Sequence, residues 1–168
     1  MNYFTLFDMP VSLKVDQAAL LKKYYALSKR YHPDNFTLSD VASQEESEQM
    51  TAKINEAKKI LDSPYRRLEY ILRQQQIIFD DEKYTLPAMF LGAMMDINEE
   101  LMELEVAQDG IRSAAVRKLI EAMEDDVYGE VSSLFERNEL VLSAHESSVL
   151  KDYYYKKKYL QRIRERLN

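Results

Sequence analysis

His32 and Asp34 are the residues of this 168-residue chain whose types and spacing could support chemistry. A histidine near an aspartate can act as a general base or contribute to a metal site. Pro33 holds the two apart in a turn, and no nucleophile stands in a workable arrangement with them. His145, the only other histidine, belongs to a different part of the chain. We therefore predict that the chain is not an enzyme.

Composition excludes most other reactive sites. The sequence contains no cysteine, which excludes a thiolate zinc site, a cysteine nucleophile, a disulfide and thiolate ligation of an iron–sulfur cluster. Its three glycines are too far apart to form a phosphate-binding loop. We predict that the chain has no cofactor and no bound metal, and that its function depends on protein surfaces.

Charge falls into three blocks along the chain. Residues 1–75 have a net charge of +1, residues 76–150 of −12 and residues 151–168 of +5, which together give −6. This balance argues against a nucleic-acid binder, because phosphate contacts need clustered Lys and Arg. The N-terminus lacks a basic region followed by a long apolar run, and no apolar run approaches the ~18 residues of a transmembrane helix. We predict a cytoplasmic protein without nucleic-acid or membrane partners.

Helical periodicity extends over most of the chain, and no strand alternation persists. In residues 1–75 the pattern predicts a short first helix, a second helix capped by Asp16, a third helix and a short fourth one that begins at Pro64. The second helix must end before Pro33, because the residue before a proline is pushed out of the α region. Residues 76–86 lose the periodicity, which indicates a linker.

Three longer helices are predicted in residues 87–168. The first covers about 87–107 and ends near Gly110, the second covers about 111–137, and the third begins at the capping box Ser143-Ala144-His145-Glu146. Short turns between long amphipathic helices favour antiparallel packing. The predicted fold class is all-α, with a three-helix bundle at the C-terminus.

The second helix has a basic face. Its apolar stripe, at about 100° per residue, consists of Leu20, Tyr24, Leu27 and Tyr31. The opposite side consists of Lys22, Lys23, Lys29 and Arg30. A positive stripe beside a rigid turn can steer and orient an acidic partner.

In this context the His-Pro-Asp turn resembles that of a J domain. It follows the basic helix and precedes Ile54-Asn55-Glu56-Ala57 and Leu61-Asp62-Ser63-Pro64. The resemblance implies that residues 1–75 form a J domain, a helical hairpin with an HPD loop, and that this domain engages an HscA/DnaK-class (heat-shock-70) chaperone. It also implies that the loop stimulates ATP hydrolysis in that partner and contributes no catalytic group. The implied chaperone-binding residues are His32, Pro33, Asp34, Lys22, Lys23, Lys29 and Arg30. Asn35 departs from the family pattern, in which Lys commonly follows the Asp.

The helix predicted over 87–107 has two apolar stripes. The stripe expected to face the core consists of Phe90, Met94, Ile97, Leu101 and Leu104. A second stripe about 120° away consists of Leu91, Met95 and Met102. Acidic residues border this second stripe, and such a combination is typical of a helix face that binds another protein.

Nearly the whole chain resembles the HscB type of co-chaperone. The likeness rests on Tyr3-Phe4-Thr5-Leu6-Phe7, on Arg67-Leu68-Glu69-Tyr70-Ile71-Leu72, and on the segment from Phe90 to Glu105. Members pair a J domain with a C-terminal three-helix bundle, here 87–168, that holds the iron–sulfur scaffold IscU and delivers it to an HscA-type chaperone. The resemblance implies an IscU-type scaffold as partner, with the cluster held by ligands of that partner. The implied scaffold-binding residues are Leu91, Met95, Asp96, Glu99, Glu103 and Tyr154.

Two other functions stay open at the level of sequence. The first is a J-domain co-chaperone for a different client, such as unfolded chains, although three glycines and no cysteine cannot supply the Gly/Phe-rich linker and zinc modules of general-purpose types. The second is a helical oligomerisation module. Lys156 at an expected seam position and the short apolar stripes argue against a long coiled coil, so we predict a monomer.

Overall fold

The structure is a computed structural model that describes residues 2–167. Within that range the chain forms helices joined by turns and has no strand, which confirms the all-α prediction. The elements are α1 Tyr3–Leu6, α2 Gln17–Arg30, a 3₁₀ turn Pro33–Phe36, α3 Val41–Asp62, α4 Pro64–Gln74, α5 Ala88–Ala107, α6 Gly110–Gly129, α7 Ser132–Phe135 and α8 Ala144–Arg166. None of these helices has the length and apolar character needed to span a bilayer.

The described chain forms two compact units. The first consists of the residues up to Gln74 together with Leu134–Val141. The second consists of Gln75–Ser133 together with the residues from Leu142 onward. Each unit has its own buried apolar residues.

The first unit is built around α2, α3 and α4. Asp16 caps α2 as predicted, since its side chain accepts a hydrogen bond from the backbone N–H of Ala19 at 3.0 Å. Leu20 is completely buried, and α3 contributes three buried apolar residues on one face, Ile54, Ala57 and Leu61. Complete burial of a large aliphatic side chain contributes roughly 1.5–3 kcal/mol, so these contacts hold the helices together.

Arg67 on α4 is a buried cation in this core, with an exposed fraction of 4%. Its guanidinium donates to the carbonyl of Leu13 from Nε at 3.0 Å and from Nη2 at 2.8 Å, and it also donates to the carbonyl of Leu61. Burial lowers the pKa of Arg67, and Asp62 partly opposes that shift. The guanidinium therefore joins the loop before α2 to the end of α3.

Residues 134–141 complete the first unit from a distant part of the sequence. Ser12 Oγ donates to the carbonyl of Arg137 at 2.6 Å, and the N–H of Leu140 donates to the carbonyl of Val11 at 2.7 Å. The predicted helix over 111–137 is too long, because α6 ends at Gly129. Glycine has low helix propensity, and a new turn follows it. Buried residues in that turn recur at a spacing similar to that of the buried residues of α6, so the pattern resembles one continuous helix.

The second unit contains a bundle in which α5, α6 and α8 pack against one another. All five residues of the predicted core stripe of α5 are buried. The Ser143–Glu146 capping box of α8 forms as predicted, with both of its hydrogen bonds present. Gly110 does not end α5: that helix ends at Ala107 and is capped by Gln108 in a left-handed conformation with φ 48°, and Gly110 is the first residue of α6.

The predicted linker is packed against α8 within the second unit. Ile78 is buried, and the Tyr84 ring stacks on the Tyr155 ring with centroids 4.5 Å apart. The Tyr84 hydroxyl donates to Asp152 Oδ1 at 2.8 Å. Desolvation and the nearby Asp152 carboxylate raise the pKa of Tyr84 to about 12. The segment is therefore an ordered part of the unit, although it has no helix of its own.

Candidate functional sites: two protein-binding surfaces

The His-Pro-Asp turn follows the end of α2 and presents its side chains to solvent. Pro33 occupies the first position of the 3₁₀ turn, a position that suits its fixed φ. His32 Nδ1 accepts a hydrogen bond from the N–H of Asp34 at 3.3 Å and lies 3.5 Å from Asp34 Oδ2. The side chains of His32 and Asp34 are 58% and 85% exposed. Both are therefore accessible to a partner protein.

Three polar side chains hold the backbone that leads into the turn. Asn35 Nδ2 donates to the carbonyl of Lys29 at 2.7 Å. Ser47 Oγ and Thr51 Oγ1, both on α3, donate to the carbonyl of Tyr31 at 2.8 and 2.9 Å. The last carbonyls of a helix lack partners within the helix, so these bonds fix the direction in which the chain leaves α2.

Sequence reasoning missed Ser47 and Thr51. Both lie on α3, four residues apart, and Ser47 is 1% exposed. The sequence does contain a signal for this contact, because two hydroxyl residues lie one helical turn apart on α3. They precede the apolar stripe of that helix, a position from which they could face the end of α2. The structure also gives Asn35 a role as a cap of α2, which a lysine at that position would not reproduce in the same way.

The basic face of α2 is only partly free for a partner. Lys22 and Lys29 are exposed, and within the described chain neither has a carboxylate at ion-pair distance. The Arg30 guanidinium lies 5.4 Å from the centroid of the Tyr31 ring. Lys23 is half-buried, and its amine binds the carbonyl of Asp8 and lies 3.7 Å from Asp8 Oδ2. The structure thus leaves Lys22, Lys29 and Arg30 exposed and engages Lys23 within the unit.

The second candidate site, called here the α5 surface, consists of the second apolar stripe of α5 and its acidic border. Met95 is 65% exposed and Met102 is 63% exposed, whereas Leu91 is half-buried. Asp96, Glu99 and Glu103 are exposed. These residues share one continuous helix, which brings the predicted group together except for its member on α8.

Val106 extends this stripe and was not predicted. It is 87% exposed and follows Met102 by four residues, which places it on the same side of α5. Its signal in the sequence was the same spacing that identified Met95 and Met102. The exposed apolar part of the α5 surface therefore continues to the last turn of the helix.

Arg112 on α6 binds the acidic border. Its Nη2 donates to Glu103 Oε2 at 2.5 Å and to Glu100 Oε2 at 2.8 Å. The hydrogen bonds to Glu103 and Glu100 raise the pKa of Arg112. A basic group of a partner that approaches Glu103 must therefore share this carboxylate with Arg112 or displace it.

Tyr154 does not belong to the exposed surface, in contrast to the expectation from the sequence. It is 2% exposed and Tyr153 is 3% exposed, while Tyr155 is half-buried and donates to Glu82 Oε2 at 2.9 Å. The physical reason is that α8 packs against α5 and α6 and is also contacted by the segment around Tyr84. These neighbours bury a wider arc of α8 than two helices alone would bury.

Comparisons with known proteins support a division into a J domain and a C-terminal domain. Residues 5–70 match the DnaJ domain, and residues 86–168 match the HSCB C-terminal oligomerisation domain. A protein of Vibrio cholerae named co-chaperone protein HscB homolog is 31% identical over 169 residues, which cover 99% of each chain. The chain belongs to the HscB co-chaperone family. The corresponding HscB homolog of Pasteurella multocida is 37% identical over 136 residues, or 79% of this chain and 78% of that protein.

Solved structures of HscB proteins share the fold. Chaperone HscB from Vibrio cholerae superposes with a TM-score of 0.80 at 29% identity, covering 99% of this chain and 95% of that one. The crystal structure of human co-chaperone protein HscB gives a TM-score of 0.79 at 28% identity, with coverage of 99% and 80%. The resemblance to the HscB type that was inferred from sequence is confirmed, and its J domain implies a DnaK-class partner.

The comparisons also bear on catalysis. The curated relatives are named co-chaperones, and these names indicate no catalytic activity. Within residues 2–167, no group of three or more histidine or acidic side chains is arranged to hold a metal ion. The chemistry that both surfaces can perform is the recognition of other proteins.

Proposed function

We propose that this HscB-family protein is a two-ended adaptor that presents an IscU-type iron–sulfur scaffold to an HscA/DnaK-class chaperone and stimulates the ATPase of that chaperone. The observation that carries the proposal is the α5 surface, where exposed Met95 and Met102 lie beside exposed acids. The same chain has an exposed His-Pro-Asp turn. A surface for cargo and a turn for a chaperone are the two elements that an adaptor needs.

The chaperone end acts through charge and shape. Lys22, Lys29 and Arg30 lack carboxylate partners in the part of the chain that the structure describes, so they can attract an acidic patch and raise the association rate. The turn that holds His32 and Asp34 then orients the complex. Stimulation follows if the turn binds the hydrolysis-competent conformation of the chaperone more tightly than the other conformation.

The cargo end acts through apolar burial with acidic guidance. Methionine side chains adapt to irregular partner surfaces, and their burial supplies affinity. Asp96, Glu99 and Glu103 restrict the choice of partner to one with complementary basic groups. The cluster itself is held by ligands of the scaffold, because the chain has no cysteine.

The chaperone end is tested by Asp34→Asn in a steady-state ATPase assay with an HscA-type chaperone and the scaffold. We expect stimulation to fall by roughly tenfold or more, because coupling of 1–3 kcal/mol between two binding events corresponds to about 5–150-fold. Asp126→Asn is the control, since it removes the same charge from an exposed position on α6. If Asp34→Asn stimulated the chaperone as well as the control, the J-domain part of the proposal would be wrong.

The cargo end is tested by Met95→Gln in a calorimetric titration with an IscU-type scaffold. The substitution removes a methionine side chain that the scaffold would bury in the complex, so binding should weaken by roughly tenfold. Met89→Gln is the control, because Met89 is 91% exposed on the same helix but lies about 120° from Met95. Equal affinity of both variants, or no binding of a competent scaffold by the wild type, would favour a J-domain protein with a different client.

A further inference from the structure

A groove in the second unit lies between the non-helical segment around Tyr84 and α8. It has a volume of about 380 Å³. Three tyrosines line it, Tyr84, Tyr155 and Tyr159, together with the apolar side chain of Leu86. Its charged side chains are Glu82, Lys83, Lys158 and Arg162. We call it the α8 groove, and none of its residues belongs to the α5 surface.

The α8 groove is internally braced. Tyr84 stacks on Tyr155 with an interplanar angle of 9°, and its hydroxyl donates to Asp152 at 2.8 Å. Glu82 binds the amine of Lys151 and accepts a hydrogen bond from the Tyr155 hydroxyl at 2.9 Å. These bonds lower the pKa of Glu82, with the Lys151 bond as the largest cause. The only carboxylate among its lining residues is therefore already engaged within the protein.

Its three cations have no acidic partners. In the described residues, no carboxylate lies at ion-pair distance from Lys83, Lys158 or Arg162. Other cations of α8 behave differently: Lys156 pairs with Asp152 at 2.7 Å, and Arg164 pairs with Glu124 at 2.7 Å. A chain with a net charge of −6 thus gathers three unpaired cations in one groove. This arrangement favours an anionic ligand.

The spacing of the cations favours a peptide. Lys158 and Arg162 are four residues apart on α8, or about 6 Å along the helix axis. Side chains on one face of an extended peptide recur about every 6.6 Å, so carboxylates at alternating positions match this separation. Lys83 comes from the non-helical segment on the other side of the groove and can meet a further carboxylate. Tyrosine rings and Leu86 supply the surface between the charges.

We propose that the α8 groove binds an extended acidic segment of a partner protein, with Asp or Glu at alternating positions. This site is additional to the adaptor function and does not depend on it. The probe is a labelled peptide in which Ser and Glu alternate, titrated against the full-length protein at low salt by fluorescence anisotropy. A peptide of the same composition with all its Glu residues adjacent is the register control.

The variant is Lys158→Gln combined with Arg162→Gln, which should bind the alternating peptide roughly fivefold more weakly because two exposed ion pairs are lost. Lys59→Gln combined with Lys118→Gln is the charge-matched control, since both residues are exposed and outside the groove. We expect less than about a twofold loss in this control, as long-range attraction alone is screened. Equal weakening in the two double variants, or none in the groove variant, would overturn the proposal.

A second measurement locates the peptide and tests its register. Backbone amide shifts should concentrate at residues 83–86 and 155–162, and the alternating peptide should bind more tightly than the peptide with adjacent Glu residues. Shifts concentrated elsewhere, or tighter binding of the adjacent form, would contradict the groove as the site. Circular dichroism should show that the groove variant stays folded, because Lys158 and Arg162 have no ion pair to lose within the described chain.

Discussion

The His-Pro-Asp turn and the α5 surface are held in position by different forces. The turn depends on hydrogen bonds to main-chain carbonyls, which Ser47, Thr51 and Asn35 supply. The α5 surface projects from a continuous helix whose opposite side is buried in the bundle. A turn held by a few polar contacts can be misdirected by a substitution that never touches the partner. A helix face anchored by an apolar core changes chiefly when its own side chains change.

The two surfaces also differ in how their charges are used. Lys22 and Lys29 have no carboxylate partner among the described residues, so the first surface attracts acidic groups freely. On the second surface Glu103 is already bound by Arg112. We expect salt to weaken the association of both surfaces with partners, but internal competition should matter only at the α5 surface.

The largest effect should come from Arg67→Met, which tests how far the first unit depends on polar contacts. The substitution keeps an apolar stem but removes the donors that satisfy the carbonyls of Leu13 and Leu61. Leaving these groups unsatisfied in the core should cost about 3 kcal/mol. Native-state hydrogen exchange at the amides of Leu20 and Ile54 measures the stability of this unit.

Arg66→Met is the matched control, because Arg66 is the exposed neighbour on the same helix. Its effect should stay within about 0.5 kcal/mol. Equal exchange rates in the two variants would mean that the guanidinium of Arg67 contributes little, and that the first unit rests on apolar burial as the second does.

A smaller effect is expected for Ser47→Ala combined with Thr51→Val, which removes both donors to the carbonyl of Tyr31. Two lost hydrogen bonds should destabilise the first unit by about 2 kcal/mol. The turn should also lose its fixed direction, so ATPase stimulation should fall under conditions in which the variant is still folded. The readout is the ATPase assay at a temperature where circular dichroism shows native helix content.

Thr85→Val combined with Ser148→Ala provides the control, since it makes the same chemical changes at exposed positions of the second unit. Stimulation should be unchanged there. If the Ser47 and Thr51 variant stimulated the chaperone fully, the turn would be ordered by its own sequence, and the contrast between the two surfaces would disappear.

Tyr84→Phe tests a polar contact in the second unit, the hydrogen bond from the Tyr84 hydroxyl to Asp152. The pKa of Tyr84 is raised from 10.0 to about 12, so the unfolded chain loses this proton first as the pH rises. Its contribution is therefore complete below pH 10 and is lost between about pH 10 and 12. In wild type this loss should be roughly 1–2 kcal/mol, because the phenol is partly exposed to solvent.

Urea unfolding at several pH values measures this dependence. At neutral pH, Tyr84→Phe should be less stable than wild type by about 1 kcal/mol, since the hydrogen bond to Asp152 is lost. The two proteins should converge in stability as the pH approaches 12, because only wild type still carries the ionising group. Parallel curves over the whole range would show that burial of Tyr84 does not raise its pKa.

Local and periodic features of this fold could be predicted from the sequence, and features set by distant residues could not. The cap at Asp16, the capping box at Ser143 and the core stripe of α5 each follow from spacing within one helix. The burial of Tyr154 depends on what covers α8 from other parts of the chain. Residues 134–141 join the first unit through contacts with Val11 and Ser12, and no pattern in their own sequence encodes that pairing.

The same division applies to the candidate sites. The His-Pro-Asp turn and the exposure of Met95 were predictable, because one is a motif and the other a position on a helical wheel. The bonds from Ser47 and Thr51 required knowledge of where α3 packs against the end of α2. Arg112 was missed for a similar reason, since it lies on α6 and reaches the acidic border of α5 only in the folded bundle.

The smallest expected effect is that of Arg112→Gln on scaffold binding. Arg112 is 40% exposed and Glu103 is 63% exposed, so their ion pair contributes little to stability. Removing the guanidinium frees Glu103 for a basic group of the scaffold, which should strengthen binding roughly threefold at low salt. Lys118→Gln, an exposed change of equal charge on the same helix, should have a smaller effect because it leaves Glu103 bound. Calorimetric titration at two salt concentrations distinguishes the outcomes: the gain should shrink at high salt, where exposed pairs are screened. If Arg112→Gln instead weakened binding, Arg112 would be acting to orient Glu103 toward the scaffold, and the acids of the α5 surface would then be as dependent on a neighbouring helix as the His-Pro-Asp turn is on α3.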